Sequence, residues 1–381
     1  MRKYHRLLFL TACLFVLSPT YVFAISVNEL SEQVEILEGN LELVEEINSE
    51  LKDEVENTIK VSGYTDVEYI LTDGKDPSFR MHHLSLFFQK KISNKWRFFS
   101  EIEYEDAPKY ENEYGETIVV VDADGNEQTV HPFNEANGKL FVEAVNIDFL
   151  WRPSASLRFG RFFTPAGIWS IDHYPPFVAT QERPRHIRRI FPQFVDGALA
   201  YGTLQFGNVF FKYDAYYGNG EGATGKGDNN SQKAIGGKTS LIIPAPPFSH
   251  LELGASVYHD TKDARHDDLE KTAFGIHGRL RIKDFSLQSE AAYAQFSPST
   301  KGTVTGYYIQ FMYELGLMGV GSRYDFYDSD RNADVDYSAN SFFVNYQVST
   351  NIVLKFEHHI ISNENKEDSN KSIFSIVTYL E

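Results

Sequence analysis

A chain of 381 residues with a formal net charge of -17 lacks the basic surface that a nucleic-acid backbone requires, which excludes nucleic acid as a general partner. Its 22 tyrosines and 30 phenylalanines coexist with a mean hydropathy of -0.35, so apolar residues are diluted among polar ones and not gathered into core-forming runs. The length admits two ordinary domains or one large barrel, and this mixture favours half-buried, alternating strands.

Residues 1–24 have the layout of an export signal. Arg2, Lys3 and Arg6 form a positive start, Leu7 to Leu17 an apolar stretch, and Val22-Phe23-Ala24 a small-residue cleavage site. Cleavage after Ala24 removes three basic residues and no acidic ones, moving the charge from -17 to -20, and takes away Cys13, the single cysteine. Leu10-Thr11-Ala12-Cys13 competes as a lipoprotein cleavage box, but it would leave the apolar Leu14 to Ala24 on the mature chain. No later run approaches the ~18 apolar residues of a spanning helix, so a membrane would be entered by strands.

Residues 25–58 carry a heptad period. Leu30, Leu37, Val44 and Leu51 share one seam position and Val34, Leu41, Asn48 and Val55 the other, which predicts an α-helical coiled coil. Asn48 would fix register at a cost in stability. An amphipathic helix lying on its own barrel is the alternative. Glu29, Glu32, Glu35, Glu38, Glu42, Glu45, Glu46 and Glu50 face a single Lys52, so copies should repel at neutral pH and associate more firmly in acid or salt.

From residue 59 to 381 the period becomes two. Phe98, Ile102 and Tyr104 alternate with Arg97, Glu101 and Glu103; Leu251, Leu253, Ala255 and Val257 with Glu252 and Ser256; Phe274, Ile276 and Leu280 with His277, Arg279 and Arg281. Sixteen antiparallel strands are expected, starting near Ile59, Phe79, Trp96, Lys139, Ser156, Phe194, Asn208, Lys233, His250, Lys271, Phe285, Thr303, Gly319, Tyr337, Asn351 and Lys371. Tight turns such as Phe206-Gly207 and Lys283-Asp284 alternate with longer polar connections. That asymmetry belongs to an all-β transmembrane barrel with short periplasmic turns and long external loops. A barrel so placed contacts outer-membrane lipid and lipopolysaccharide.

The third long connection, about 165–193, crowds Arg183, Arg185, His186, Arg188 and Arg189 into an otherwise acidic protein. Pro165, Pro175, Pro176, Pro184 and Pro192 restrict its backbone, as an inward-folded loop would need. Such a loop would narrow the barrel and present guanidinium groups to small anions. By alternation Arg158, Lys212, Lys238, His277, Arg279, Arg281 and Arg323 face the lumen, with Asp66, Glu68, Glu101, Glu103, Asp214, Glu252 and Glu314. Arg161 falls with Phe159 and Phe163 on the outer face, which requires a bulge or a neighbouring subunit.

Phe79 to Asp106 resembles the second-and-third-strand hairpin of the phosphate-selective porin O/P family, and LRFGRFFTPAGIW (Leu157 to Trp169) is similar to that family's strand leading into loop three. DAYYGNG, GYYIQFMYEL and SFFVNYQVSTNIVLKFEHH resemble its later strands. The resemblance implies a sixteen-stranded homotrimer in a Gram-negative outer membrane with anion preference; for the coil, the seam residues favour two strands and a trimeric barrel favours three. A lysine cluster of the phosphate-preferring kind has no match here, and the chain ends on Glu381 where an aromatic is usual.

The function expected is passive diffusion of small hydrophilic, anionic solutes; the rival is a barrel anchor, plugged or gated, whose coil serves a periplasmic binding role. No enzyme activity, cofactor or metal site is expected. Gly220, Gly222 and Gly225 lack a following helix, and Asp122 to Glu127 reads as a hairpin turn and not a calcium loop. Asp172-His173 has no catalytic partners in the sequence. His82-His83 and His358-His359 are expected to point to opposite faces of their strands, so that neither pair can chelate one ion.

Overall fold

A computed structural model describes residues 58–106, 118–121, 127–130, 139–221, 230–244, 246–263, 269–331, 336–363 and 366–380. The expected export signal and all but the last residue of the expected coil lie outside the described residues. The strands are β1 (Lys60–Thr72), β2 (Ser78–Lys91), β3 (Trp96–Glu105), β4 (Ile118–Val121), β5 (Glu127–Val130), β6 (Lys139–Arg152), β7 (Ala155–Phe163), β8 (Phe194–Phe206) and β9 (Val209–Asn219). They continue as β10 (Lys233–Ile242), β11 (His250–Asp263), β12 (Leu269–Ile282), β13 (Phe285–Ser297), β14 (Thr303–Leu315), β15 (Met318–Ser329), β16 (Tyr337–Ser349), β17 (Ile352–Asn363) and β18 (Lys366–Leu380).

Sixteen of these close into one antiparallel barrel, sealed where β1 pairs with β18 from Gly63↔Leu380 to Thr72↔Lys371. The remaining two, β4 and β5, form a separate hairpin in the second long connection, with Val121 opposite Glu127. Residues 122–126, where the hairpin turn is expected, lie outside the described residues. Strand starts depart most from expectation at β18, which begins at Lys366 and not Lys371.

Large apolar side chains are on the outside. Phe79 is 80 % exposed and Ile276 65 %, while Glu101 and Glu357 are completely buried. A water-soluble sandwich would have the reverse arrangement; lipid outside and polar groups inside account for this one.

Two register shifts alter the inner wall. Between β1 and β2, Asp66 pairs with His83 and Val67 with Met81, leaving His82 as the extra residue of a bulge. Between β3 and β6, Glu101 pairs with Ala144 and Ile102 with Val142, leaving Glu143 extra. Each bulge turns two consecutive side chains inward. The expectation that His82 and His83 point to opposite faces is therefore corrected: their ring centroids lie 3.5 Å apart on the same side. His358 and His359 do diverge, His358 bonding Ser372 and His359 bonding Ser341 and Glu357.

The charged inner face is also incomplete. Tyr216, Tyr258, Ala273, Ala294, Phe296 and Val304 are buried together with Phe162, Ile190 and Phe191. On β9 to β14, near the long connections, part of the inner wall is apolar where a loop packs against it, beside the buried charges of Asp260, Asp263 and Lys271.

Candidate functional site

That loop is residues 164–193, the third long connection. Its polar atoms meet inward-facing side chains around the circumference. The Gly167 amide donates to Ser256 Oγ at 3.1 Å and its carbonyl accepts from Lys238. The Trp169 amide donates to Glu290 at 2.9 Å, and Tyr174 donates to Glu101 at 3.1 Å. Lys355 Nζ donates to the carbonyls of Pro175 and Val178, both at 2.6 Å. Gln181 donates its side-chain amide to Asp66 at 2.7 Å and its backbone amide to Glu357. Arg323 reaches Thr180 and the Glu182 carbonyl, and Lys371 pairs with Glu182. A loop tied to so many strands has lost the conformational freedom of a surface connection.

Local conformation fits this path. Gly167 has φ +57°, and a Cβ there would lie 1.7 Å from Glu290 Oε2. Only glycine lets the chain turn so close to the carboxylate that holds Trp169.

The basic residues of the loop separate into two groups. Arg183 and Arg188 line a cavity of about 250 Å³ with Arg80, His82, His83 and Lys371, opposed by Glu105 and Glu182. Arg188 also lies 3.5 Å from Glu143. Arg185 and Arg189 instead lie over Tyr337 and Tyr327, with guanidinium-to-ring distances of 5.0 and 5.6 Å. His186 is buried against Tyr308, and burial followed by the nearby Arg323 pushes its pKa down to about 3, so it is neutral at ordinary pH. Burial, then Arg188 and His83, likewise holds His173 well below the usual histidine range. Burial opposes the charge on Glu182, but Lys371, His359 and Arg323 outweigh it and lower its pKa.

Toward the tight turns the lumen widens. One cavity there, about 810 Å³, is lined by Arg279, Arg281 and Glu314 among others; a second, about 450 Å³, includes Arg158, Arg97 and Asp214. Trp169 and Val178 line both the narrow cavity and the larger wide one, so these two loop residues stand between them.

Arg158 holds Asp148 at 2.7 and 3.1 Å and shares it with Arg97 at 2.6 Å. Arg279 pairs with Asp172 of the loop at 3.1 Å, Arg281 with Glu314 at 2.5 Å, and Arg323 with Asp325 at 2.7 Å. His277 lies 3.1 Å from Ser240 Oγ, and Lys212 is exposed near the turn end of β9. Asp66 and Glu103 face inward yet are buried, Glu103 accepting from Tyr64 at 2.6 Å. Glu68 is also buried, beside His82 and Arg80. Sequence reasoning did not single out Arg80, Lys371, Lys355, Glu290 or Glu357 for the site. Asp172 pairs with Arg279, and His173 stacks on Tyr174.

The profile of the Gram-negative porin family matches residues 84–366. An uncharacterized protein of Aquifex aeolicus (strain VF5) is 29 % identical over 171 residues, covering 44 % of this chain and 33 % of that relative, so the match spans about a third of the relative's length. Among solved structures, the anion-selective porin from Comamonas acidovorans aligns with a TM-score of 0.60 at 12 % identity, over 84 % of this chain and 99 % of that one. In vitro folded OmpT of Vibrio cholerae, in its trimer form, aligns at 0.54 and 12 % identity over 84 % and 99 %. At these identities the likeness is one of fold.

Proposed function

Because the chain belongs to the Gram-negative porin family, we propose that it is a passive outer-membrane channel for small hydrophilic solutes, not an enzyme, biased toward anions by Arg183 and Arg188. The observation that carries this reading is the narrow cavity of about 250 Å³, whose lining includes these two arginines with Arg80 and Lys371 alongside Glu105 and Glu182, while Glu143, Glu68 and Asp106 pair with Arg188 and Arg80. A small passage walled by low-dielectric protein concentrates the field of such charges and raises the local concentration of anions. The name of the Comamonas porin records anion selectivity in a protein of the same fold, and the O/P-like motifs add phosphate as a candidate solute. We further propose export by a signal peptide at 1–24, a homotrimer, and a periplasmic coiled coil at 25–58 that joins the three chains. Lipid and lipopolysaccharide would cover the apolar outer wall.

Purified full-length chain in planar bilayers should give discrete conductance steps. In a potassium chloride gradient the reversal potential should take the sign of anion preference. Cation preference would overturn the bias toward anions. A second reading, a plugged or gated barrel anchor, is favoured by the apolar packing of Phe162, Ile190 and Phe191 against β9 to β14. Absence of conductance steps from folded protein would select it.

A further inference from the structure

The bulge in β2 brings together a set of side chains that channel function does not require. His82 Nδ1 lies 2.9 Å from Glu68 Oε1 and 3.4 Å from Asp66 Oδ2, and His83 Nδ1 lies 2.8 Å from Asp66 Oδ1. The Nδ1 atoms of both imidazoles thus converge on the Asp66 carboxylate at the inner wall, while Glu68 touches His82. Asp66 and Glu68 are 0 % and 2 % exposed, whereas the two histidines border the narrow cavity and are reachable from it.

A regular strand would send one of two neighbouring rings outward. Here both turn inward, with centroids 3.5 Å apart. Both rings sit against the Asp66 carboxylate, at 2.8 Å from His83 Nδ1 and 3.4 Å from His82 Nδ1. The three donor atoms of Asp66, His82 and His83 lie within 4.8 Å of one another, close enough to share one dication. Ligands on a tetrahedral ion with bonds of about 2.0–2.1 Å are themselves about 3.3 Å apart, so a few tenths of an ångström of spreading accommodates the ion. Arg80, 3.7 Å from Glu68, is the competing cation, and Asp106 offers it another partner.

We propose that Asp66, His82 and His83 form a three-ligand binding site for a divalent transition-metal ion of the zinc class on the lumen wall, its fourth position open to the cavity. The nitrogen and oxygen donor set suits zinc and its neighbours better than calcium or magnesium. Binding takes the lone pair of each Nδ1, so any proton held there leaves to solvent. The other clusters on this wall, His83 with Glu103 and Glu105, and Glu101 with Glu103 and Glu143, supply one imidazole or none and fit such an ion less well.

Zinc alone is titrated by calorimetry into detergent-solubilised full-length chain at neutral pH. One ion per chain is expected, with affinity weakened more than about tenfold in His82→Ala, His83→Ala and Asp66→Asn. His358→Ala, which alters a ring on the opposite face of its strand, should bind as the unaltered protein does. Equal binding in the unaltered chain and the His82→Ala/His83→Ala double variant would overturn the site. Because these substitutions touch packed wall positions, X-ray absorption of the zinc-loaded unaltered chain is the second measurement. Two imidazoles per zinc support the proposal; fewer than two overturn it. Neither readout depends on solute passage, so failure here leaves the channel reading intact.

Discussion

Arg161 and Asp196 stand directly opposite each other on β7 and β8, with two guanidinium-to-carboxylate contacts of 2.7 Å. They occupy the outer face: Arg161 is also opposite Val145, which is 41 % exposed, and Phe159 two residues earlier is 46 % exposed. The outward arginine therefore meets its charge within the same barrel, through a cross-strand partner.

Removing one member should be worse than removing both. Arg161→Leu leaves Asp196 without a partner in an apolar setting and should destabilise the barrel by about 3 kcal/mol. Arg161→Leu/Asp196→Leu, which restores an apolar outer wall, should recover most of that loss. Urea unfolding in lipid vesicles, followed by tryptophan fluorescence, measures both. A double variant no more stable than the single one would show that the charges were not what held the strands.

The two groups of loop arginines predict different effects on selectivity. Arg183→Glu/Arg188→Glu reverses charge at the narrow cavity and should move the reversal potential toward cations. Arg185→Glu, beside Tyr337 and outside that cavity, should move it much less. Equal shifts from both variants would mean that long-range charge, not position at the narrow cavity, decides permeation.

The strands were legible because lipid imposes one rule on every outward position. Both bulges were also written in the sequence, as frame shifts that simple alternation overlooks. In β2 the outward apolar residues run Phe79, Met81, then Leu84, Leu86 and Phe88; in β6 they run Leu140, Val142, then Val145, Ile147 and Phe149. Each series contains one step of three where steps of two are the rule, and the extra residue in each is polar: His82 and Glu143. The loop's anchors had no such signal. Lys355 is 180 residues from Pro175, and only closure of the barrel makes them neighbours. The apolar inner wall near the long connections was missed for the same reason, since Ala273 and Ala294 became a bed for Ile190 and Phe191 only after the loop folded inward.

Gly167 tests how firmly the loop is held. Gly167→Ala puts a methyl where Glu290 Oε2 now lies, so Glu290 must give up the Trp169 amide or the Tyr308 hydroxyl, bonded at 2.9 and 2.8 Å. Trp169 stands between the narrow and wide cavities, so its release should appear as noisier, less uniform single-channel currents. The strained φ and the lost hydrogen bond together should cost about 2 kcal/mol. Unchanged current noise with reduced stability would confine Glu290 to a structural role.

His173 and His186 make a prediction for acid. Each is held neutral in the folded chain, His186 with its pKa pushed down to about 3 and His173 lowered in the same direction, while an unfolded histidine protonates near 6.5. Below about pH 6.5 the unfolded chain therefore binds protons that the folded chain refuses, and stability falls as pH drops. The stabilising contribution is complete above that pH and shrinks through the window toward pH 3. Glu182, whose carboxylate is favoured by Lys371, loses its contribution in the same sense but only below the ordinary glutamate range. His173→Gln/His186→Gln should flatten the fall in urea midpoint between pH 7 and pH 5 while leaving the part below pH 4.5. An undiminished fall between pH 7 and pH 5 in that variant would trace acid sensitivity to groups outside the loop.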